Sequence, residues 1–152
     1  MARGENVERF LNVGELGILH YVAPLYPPNY RGETQQLLDF WPMAVPILKM
    51  LRLSGELIEF AGTSCELRIE AYLRNISGQS FSSNTDPLAS VPITTVASSV
   101  PASAQVSSHN VNRSGLDMTV DLMYQLRWPF GKESPPSINL VRNVVEQMVR
   151  YG

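Results

Sequence analysis

The chain has 152 residues, of which 44% are hydrophobic and 17% are charged, and its formal net charge is -2. This length is typical of one domain, so we expect residues 1–152 to form a single domain around one hydrophobic core. The weak negative charge excludes a broad positive field around the protein. Nucleic-acid binding is therefore not expected and would need a local patch of arginines.

A single cysteine, Cys65, excludes an intrachain disulfide and indicates a reducing compartment. The N-terminus shows no secretory signal pattern. The most apolar stretch, residues 41–53, is interrupted by two prolines and two basic residues and does not suit a bilayer span. We therefore expect a soluble, cytoplasmic protein that does not cross a membrane.

The N-terminal part of the chain combines short apolar runs with a proline-rich loop. Residues 7–11 have the pattern of a short helix, and residues 17–23 form a compact apolar run typical of a buried strand. Three prolines between residues 24 and 28 then stop any regular element, in a loop that carries Tyr26 and Tyr30. This loop is either a recognition surface or a rigid crossover packed on the core.

The segment after this loop predicts two helices. Thr34 can cap the first helix, which ends before Pro42. Pro46 lies in the first turn of the second helix, which continues to Leu53 with apolar residues nearly all round. Such a helix is either deeply buried or shared with another protein chain.

The clearest pattern is an alternation of apolar and polar residues over 65–76, typical of a strand with one wet face. Residues 56–61 are predicted to pair with it as a hairpin through a short glycine-containing turn. Glu66, Arg68 and Glu70 lie on the wet face, where we expect charge pairs across the two strands.

A second alternation covers residues 116–128, and two such strands predict an antiparallel sheet with one buried face. The six apolar residues expected on that face are Leu67, Ile69, Leu73, Val120, Leu122 and Leu126. Asp117, Thr119, Asp121 and Arg127 are expected on the opposite, solvated face of the second strand.

Residues 77–109 are rich in Ser and Thr and contain one acidic residue and no Lys or Arg. This composition fits a flexible linker, whereas its β-branched residues between prolines fit one or two irregular edge strands. Near the C-terminus, Ser137 can cap a helix with apolar residues at helical spacing. The predicted fold class is α+β, an antiparallel sheet with one face covered by two or three helices.

Catalytic chemistry has little support in the sequence. Cys65 follows two hydroxyl residues but lacks the G-x-S-x-G pattern, and we expect it to begin the inward face of a strand as a structural residue. No spacing relates His20 to His109, and Asp117 and Asp121 would stand about 13 Å apart on a strand. We therefore predict no metal site, and the absence of a phosphate-binding glycine motif predicts no nucleotide cofactor.

These patterns favour a non-enzymatic binding or regulatory module, an accessory domain that self-associates or docks on a larger protein assembly. Its expected interaction residues are Tyr26, Tyr30, Trp41 and Met50. Two alternatives stay open. One is a small enzyme with a pocket built on Cys65 or on a carboxylate, and the other is a nucleic-acid-associated module with a local arginine patch.

Overall fold

The computed structural model describes residues 10–13, 17–23, 37–38, 41–78, 80–81, 95–130 and 138–151. Within these ranges the α-helices are α1 (Trp41–Ala61), α2 (Val111–Arg127) and α3 (Ile138–Tyr151). The strands are β1 (Phe10–Val13), β2 (Leu19–Val22), β3 (Leu37–Leu38), β4 (Glu66–Arg74), β5 (Ser80–Phe81) and β6 (Ser99–Ser107). Two short 3-10 helices, Ser108–Asn110 and Trp128–Phe130, flank α2.

β4 and β6 form the antiparallel sheet on which the helices pack. Leu67 lies opposite Val106 and Leu73 lies opposite Val100, so the apolar side chains of both strands share one face. Residues of α1 and α2 pack against that face, and the fold is the predicted α+β type. The strand predicted over 65–76 is confirmed as β4, but its partner is neither of the two segments that the alternation suggested.

The partner strand β6 comes from the Ser/Thr-rich segment. Its residues alternate between an outward set and an inward set, which is the period of a strand with one wet face. The inward set consists of Val100, Ala102, Ala104 and Val106. For residues 99–107 the structure therefore resolves the choice between a linker and an edge strand in favour of a strand, and residues 82–94 lie outside the described residues.

The strand predicted over residues 116–128 is wrong, because this segment belongs to the helix α2. Thr119 and Met123 break the alternation, since both would lie on the wet face of a strand and both are fully buried. Arg127, also expected on that face, is only 3% exposed. The buried residues of α2 instead recur at helical spacing, and they include Val111, Gly115, Met118, Thr119, Leu122, Met123 and Leu126. Val120, Leu122 and Leu126 are buried as predicted, but on a helix.

α1 is one helix of 21 residues where the sequence predicted a break at Pro42 and a strand over 56–61. Pro42 lies in the first turn, where its missing N–H costs little. Pro46 removes one backbone hydrogen bond, and the helix continues past it. Because residues 56–61 are helical, the predicted hairpin with β4 does not form. In the part of the chain that the structure describes, no helix combines the length and the apolar character that a bilayer crossing requires.

The core lies between the sheet and the helices. Its main cluster contains Met43, Ala44, Leu73, Ile76, Val100, Ala102, Val120, Leu122, Met123, Leu126, Phe130 and Val145. A second cluster consists of Leu51, Val111 and Met118, with half-buried residues of both strands packed against it. The predicted C-terminal helix is confirmed as α3, which contributes Val145 and packs against α2. Ser137, its predicted cap, lies outside the described residues.

The three N-terminal strands take part in two small sheets, one of which also contains β5. β1 and β2 pair in antiparallel fashion, with Asn12 opposite His20, which confirms a strand within 17–23. The expectation that this strand is buried is wrong, because β2 alternates between half-buried and exposed residues and Ile18 is 61% exposed. The helix predicted over 7–11 is wrong at residues 10 and 11, which belong to β1, and its remaining residues are outside the described ranges. β3 pairs with β5 in parallel, so Leu37 and Leu38 are not in the helix predicted from Thr34.

Candidate functional site

The structure describes two of the four predicted interaction residues. Met50 lies on α1 and is half-buried, and Trp41 is the first residue of the same helix. Tyr26 and Tyr30 lie outside the described residues, so a role for the proline-rich loop stays a prediction. The described part of the predicted interaction surface therefore lies on α1.

α1 carries a second apolar face. Four residues at spacings of three, four and three form a stripe along one side of the helix, and we call them the α1 stripe: Met50, Leu53, Leu57 and Phe60. Met50 and Leu53 are half-buried, whereas Leu57 is 40% and Phe60 is 92% exposed. The opposite side of the helix faces the core through Ala44, Leu48, Leu51 and Gly55, all buried. The helix thus buries one apolar side and presents the other to solvent.

Charged residues line one flank of the α1 stripe. Lys49 and Arg52 lie beside its N-terminal half, and Glu56 and Glu59 lie beside its C-terminal half. All four side chains are exposed. The stripe therefore has a basic end and an acidic end, which gives any protein that docks on it a preferred direction.

A second surface is a shallow apolar groove between β6 and the end of α2. It has a volume of about 360 Å³ and is lined by Val100, Pro101, Tyr124, Gln125, Trp128 and Pro129. The rings of Tyr124 and Trp128 meet edge to face with centroids 5.8 Å apart, and Trp128 is 45% exposed. Aromatic side chains that stay partly exposed in a concave surface are common at sites of protein recognition.

A polar cluster lies where β4 begins and β6 ends. The Ser64 Oγ is 3.0 Å from the His109 Nε2. The Cys65 N–H donates to the Ser108 Oγ at 3.1 Å, and the Ser108 N–H donates to the Cys65 carbonyl at 2.9 Å. Cys65 is a free, exposed thiol, so the expectation that it begins the buried face of a strand is wrong. The reason is that β4 begins at Glu66, one residue beyond Cys65.

A serine hydroxyl beside an imidazole could supply the nucleophile and the base of a catalytic site. Such a site also needs a third group that orients the imidazole, and among the described residues no carboxylate bonds to His109. The pair is also exposed rather than enclosed in a pocket. His20, the other histidine of the chain, lies on β2. In the described ranges, no three side chains of His, Cys, Asp or Glu are grouped so that they could hold a metal ion.

The outer face of β4 carries a chain of polar contacts. Arg68 Nη2 lies 2.6 Å from Glu70 Oε1, and the Tyr72 hydroxyl donates to Glu70 Oε2 at 2.8 Å. The Arg74 guanidinium lies 5.6 Å from the centroid of the Tyr72 ring. The hydrogen bond to the Glu70 carboxylate and its negative charge raise the pKa of Tyr72 above its ordinary value.

The sequence predicted charge pairs across two strands, and this prediction is wrong. The observed pair, Arg68–Glu70, lies along β4 itself. The residues directly opposite Arg68 and Glu70 on β6 are Gln105 and Ser103, both uncharged. The prediction failed because it assumed that residues 56–61 were the neighbouring strand, and these residues belong to α1.

Sequence reasoning did not identify Leu57 and Phe60 as surface residues, because it placed them in a strand. The signal was present in the spacing, since Met50, Leu53, Leu57 and Phe60 follow a helical period past Gly55. Comparison of the chain with models of protein families, with curated proteins and with solved structures produced no match in any of the three. The functional hypothesis therefore depends on the surfaces described above.

Proposed function

We propose that the chain is a non-enzymatic interaction module that docks on a larger protein through the α1 stripe. The observation that carries this proposal is the exposure of the stripe, which reaches 92% at Phe60 on a helix whose other side is buried. A large apolar side chain held in water on a rigid helix is costly for an isolated protein and useful at an interface.

The spacing of the stripe supports a helix that inserts into a groove of its partner. Helices recognised in this way present anchors at i, i+3 or i+4, and i+7, and Met50, Leu53 and Leu57 have this spacing, with Phe60 one further step along. The flanking charges add direction, because a partner with acidic residues near Lys49 and basic residues near Glu59 matches them.

The length of the stripe favours a larger protein over a second copy as the partner at this surface. From Met50 to Phe60 the stripe rises about 15 Å along the helix, whereas a seam between two helices is sustained over three or more heptads. Two short stripes packed on one another would bury little area, whereas a groove covers a helix on more than one side.

The experiment that tests this proposal is site-specific photo-crosslinking. A photo-reactive phenylalanine analogue replaces Phe60 in the full chain, and the protein is irradiated in cells of its source organism. We expect a covalent adduct with a protein other than the chain itself. The matched control carries the same analogue at Asn143, an exposed residue of α3, and should give no such adduct.

Three outcomes would contradict the proposal: no adduct at position 60, equal adducts at positions 60 and 143, or an adduct at position 60 with the mass of two chains. If the adduct forms, Phe60→Ala should weaken binding of the identified partner by about tenfold or more, as truncation of a central aromatic anchor does. Circular dichroism should stay unchanged in this variant, because the Phe60 side chain has few intramolecular contacts to lose.

The alternatives have weaker support among the described residues. The enzyme alternative requires a pocket built on Cys65 or on a carboxylate, and Cys65 is an exposed thiol. The neighbouring Ser64 and His109 also lie on the surface, without a third orienting group among the described residues. A nucleic-acid module would need a local patch of arginines, and two of the described arginines, Arg68 and Arg142, are instead paired with the carboxylates of Glu70 and Asp117.

A further inference from the structure

The two edges of the β4–β6 sheet differ in how they are protected. On the β6 edge, the Ser103 N–H donates to the Gln125 Oε1 at 3.0 Å, and the Gln125 Nε2 donates to the Ser103 carbonyl at 3.1 Å. The side-chain amide of Gln125, a residue of α2, therefore makes the two hydrogen bonds that a neighbouring strand would make with Ser103. Two residues away, Pro101 has no N–H to offer. Both features prevent another strand from pairing with β6.

The β4 edge has no such protection among the described residues. The Ser108 N–H donates to the Cys65 carbonyl, so the odd-numbered residues of β4 direct their backbone groups toward β6. The even-numbered residues direct theirs to the other side, and these residues are Glu66, Arg68, Glu70, Tyr72 and Arg74. Where the structure describes the chain, no strand pairs with this side of β4. The result is a nine-residue strand with one open edge, which is a template for another strand.

The burial of the inward side chains also differs between the two strands. On β6, Val100 and Ala102 are buried and Ala104 and Val106 are half-buried. On β4, only Leu73 is buried, and Leu67, Ile69 and Ala71 are half-buried. The helices therefore cover the sheet less completely on the β4 side. A strand added at that edge would bring its own inward apolar side chains against this half-buried set.

The charges on the outer face of β4 are complementary to those of a second, antiparallel copy of the same strand. When two identical strands pair in antiparallel fashion, a two-fold axis passes midway between them. It lies either at one residue, which is then opposite its own copy, or between two consecutive residues. With the axis at Ile69, Arg68 of each copy lies opposite Glu70 of the other, and Glu66 lies opposite Tyr72. Both charge pairs are then favourable, and they join the Arg68–Glu70 pair already present within each chain.

Other registers are less favourable. An axis at Glu70 pairs Glu66 with Arg74 but places two Glu70 carboxylates opposite each other at its centre, and an axis at Arg68 places two Arg68 side chains together with Glu66 opposite Glu70. An axis at Leu67 pairs Glu66 with Arg68, but only residues 66–68 of β4 then lie opposite one another. Like charges directly opposite one another destabilise a strand pair. An axis between two residues would pair even-numbered with odd-numbered residues and mismatch the two faces.

From these features we infer that two copies of the chain associate through their β4 edges, in antiparallel fashion and with the two-fold axis at Ile69. The product is a continuous four-stranded sheet in the order β6, β4, β4 of the second copy, β6 of the second copy. This inference is independent of the proposed function, because the α1 stripe is not part of the β4 edge. The dimer would carry two α1 stripes and could bind its partner at two points.

The test uses charge reversal and mixing of full-length variants, with mass measured by sedimentation. Wild type is expected at twice the 16.9 kDa of the chain. Arg68→Glu places Glu opposite Glu70, and Glu70→Arg places Arg opposite Arg68, so each variant alone should be monomeric. An equimolar mixture of the two should recover the dimer, because both pairs of opposite residues are again complementary. Mixing does not restore the Arg68–Glu70 pair within a chain, so recovery reports contact between chains.

The matched controls are Arg142→Glu and Glu146→Arg, which make the same charge changes in a partly exposed pair on α3 and should stay dimeric. Phe60→Asp should also stay dimeric, which separates this inference from the proposed function. The register is read from Ile69→Cys in a Cys65→Ser background, which should form a disulfide between copies under mild oxidation, because residues opposite each other lie within reach.

Four results would overturn the inference. They are a wild-type monomer at the highest attainable concentration, dimeric single variants, a mixture that remains monomeric, and controls that dissociate as the β4 variants do. Disulfide formation by Glu70→Cys but not by Ile69→Cys would overturn the register. Circular dichroism of each single variant should match that of wild type, which separates dissociation from unfolding.

Discussion

Gly55 of α1 faces Val111 at the start of α2, and a Cβ built on Gly55 would lie 2.8 Å from the Val111 Cγ1 and would also overlap Asn112. Carbon atoms do not approach this closely without a shift in structure. Val111 is buried and β-branched, so its side chain has little freedom to move away. The absence of a side chain at Gly55 is therefore what allows α1 and α2 to cross at this distance.

Gly55→Ala should destabilise the protein, and Gly115→Ala provides the matched control. Both residues are buried in helices, so each substitution gains a similar helix propensity of about 1 kcal/mol. A Cβ on Gly115 would meet Leu48 at 3.8 Å, an ordinary contact. The free energy of unfolding of Gly55→Ala should therefore be lower than that of Gly115→Ala by about 1–3 kcal/mol, the usual cost of overpacking. Equal values in urea denaturation would contradict the close contact of the two helices.

Gln125→Leu should expose the amide of Ser103 to hydrogen exchange. The Gln125 side chain also donates to the Asp121 Oδ2 at 3.0 Å, which holds its amide toward β6. The hydrogen bond from the Ser103 N–H contributes about 1 kcal/mol, so exchange at this amide should accelerate by roughly fivefold. The amides of Ala102 and Ala104 face β4 and serve as internal controls that keep their protection. A Ser103 amide that exchanges equally slowly in both proteins would show that Gln125 does not protect the β6 edge.

Glu70→Gln should lower the pKa of Tyr72. In the wild type, the hydroxyl donates to the Glu70 carboxylate, and ionisation would place a phenolate beside that carboxylate, so the pKa is raised. The hydrogen bond is therefore present at neutral pH and is lost as the pH rises through this raised pKa. Carbon-13 NMR of labelled tyrosine, assigned with Tyr72→Phe, measures the shift. Glu66→Gln is the control, and a Tyr72 pKa unchanged by Glu70→Gln would contradict the contact.

Sequence patterns correctly predicted the elements whose apolar residues fit only one period, either that of a strand or that of a helix. β4 alternates over its whole length, and its inward residues are those predicted. α3 has apolar residues only at helical spacing, and its helix is confirmed. In α2 two periods coincide, because residues such as Met118, Leu122 and Leu126 lie on one face of either a strand or a helix. Met123 was the signal in favour of the helix, because in a strand this apolar residue would lie on the solvated face.

The α1 stripe was predicted only in part. The sequence indicated a helix with two apolar sides that includes Met50, and this expectation agrees with the half-burial of Met50 above a buried core face. The predicted helix ended at Leu53, and Leu57 and Phe60 were assigned to the strand over 56–61. The helix continues through Gly55, whose lack of a side chain permits the close approach of Val111, a residue more than fifty positions away along the chain.

What the sequence determined by itself is local: the α+β class, the alternation of β4 and the periodicity of α3, because these depend on neighbours a few residues apart. What only the tertiary structure decided is the pairing of β4 with β6, the helical state of residues 111–127, and the contact of Ser64 with His109. Each of these depends on residues distant in sequence, whose packing energy decides between local conformations of similar propensity. The tertiary structure also decided which edge of β4 is open, because this edge is the side opposite to β6, and the pairing with β6 could not be read from the sequence.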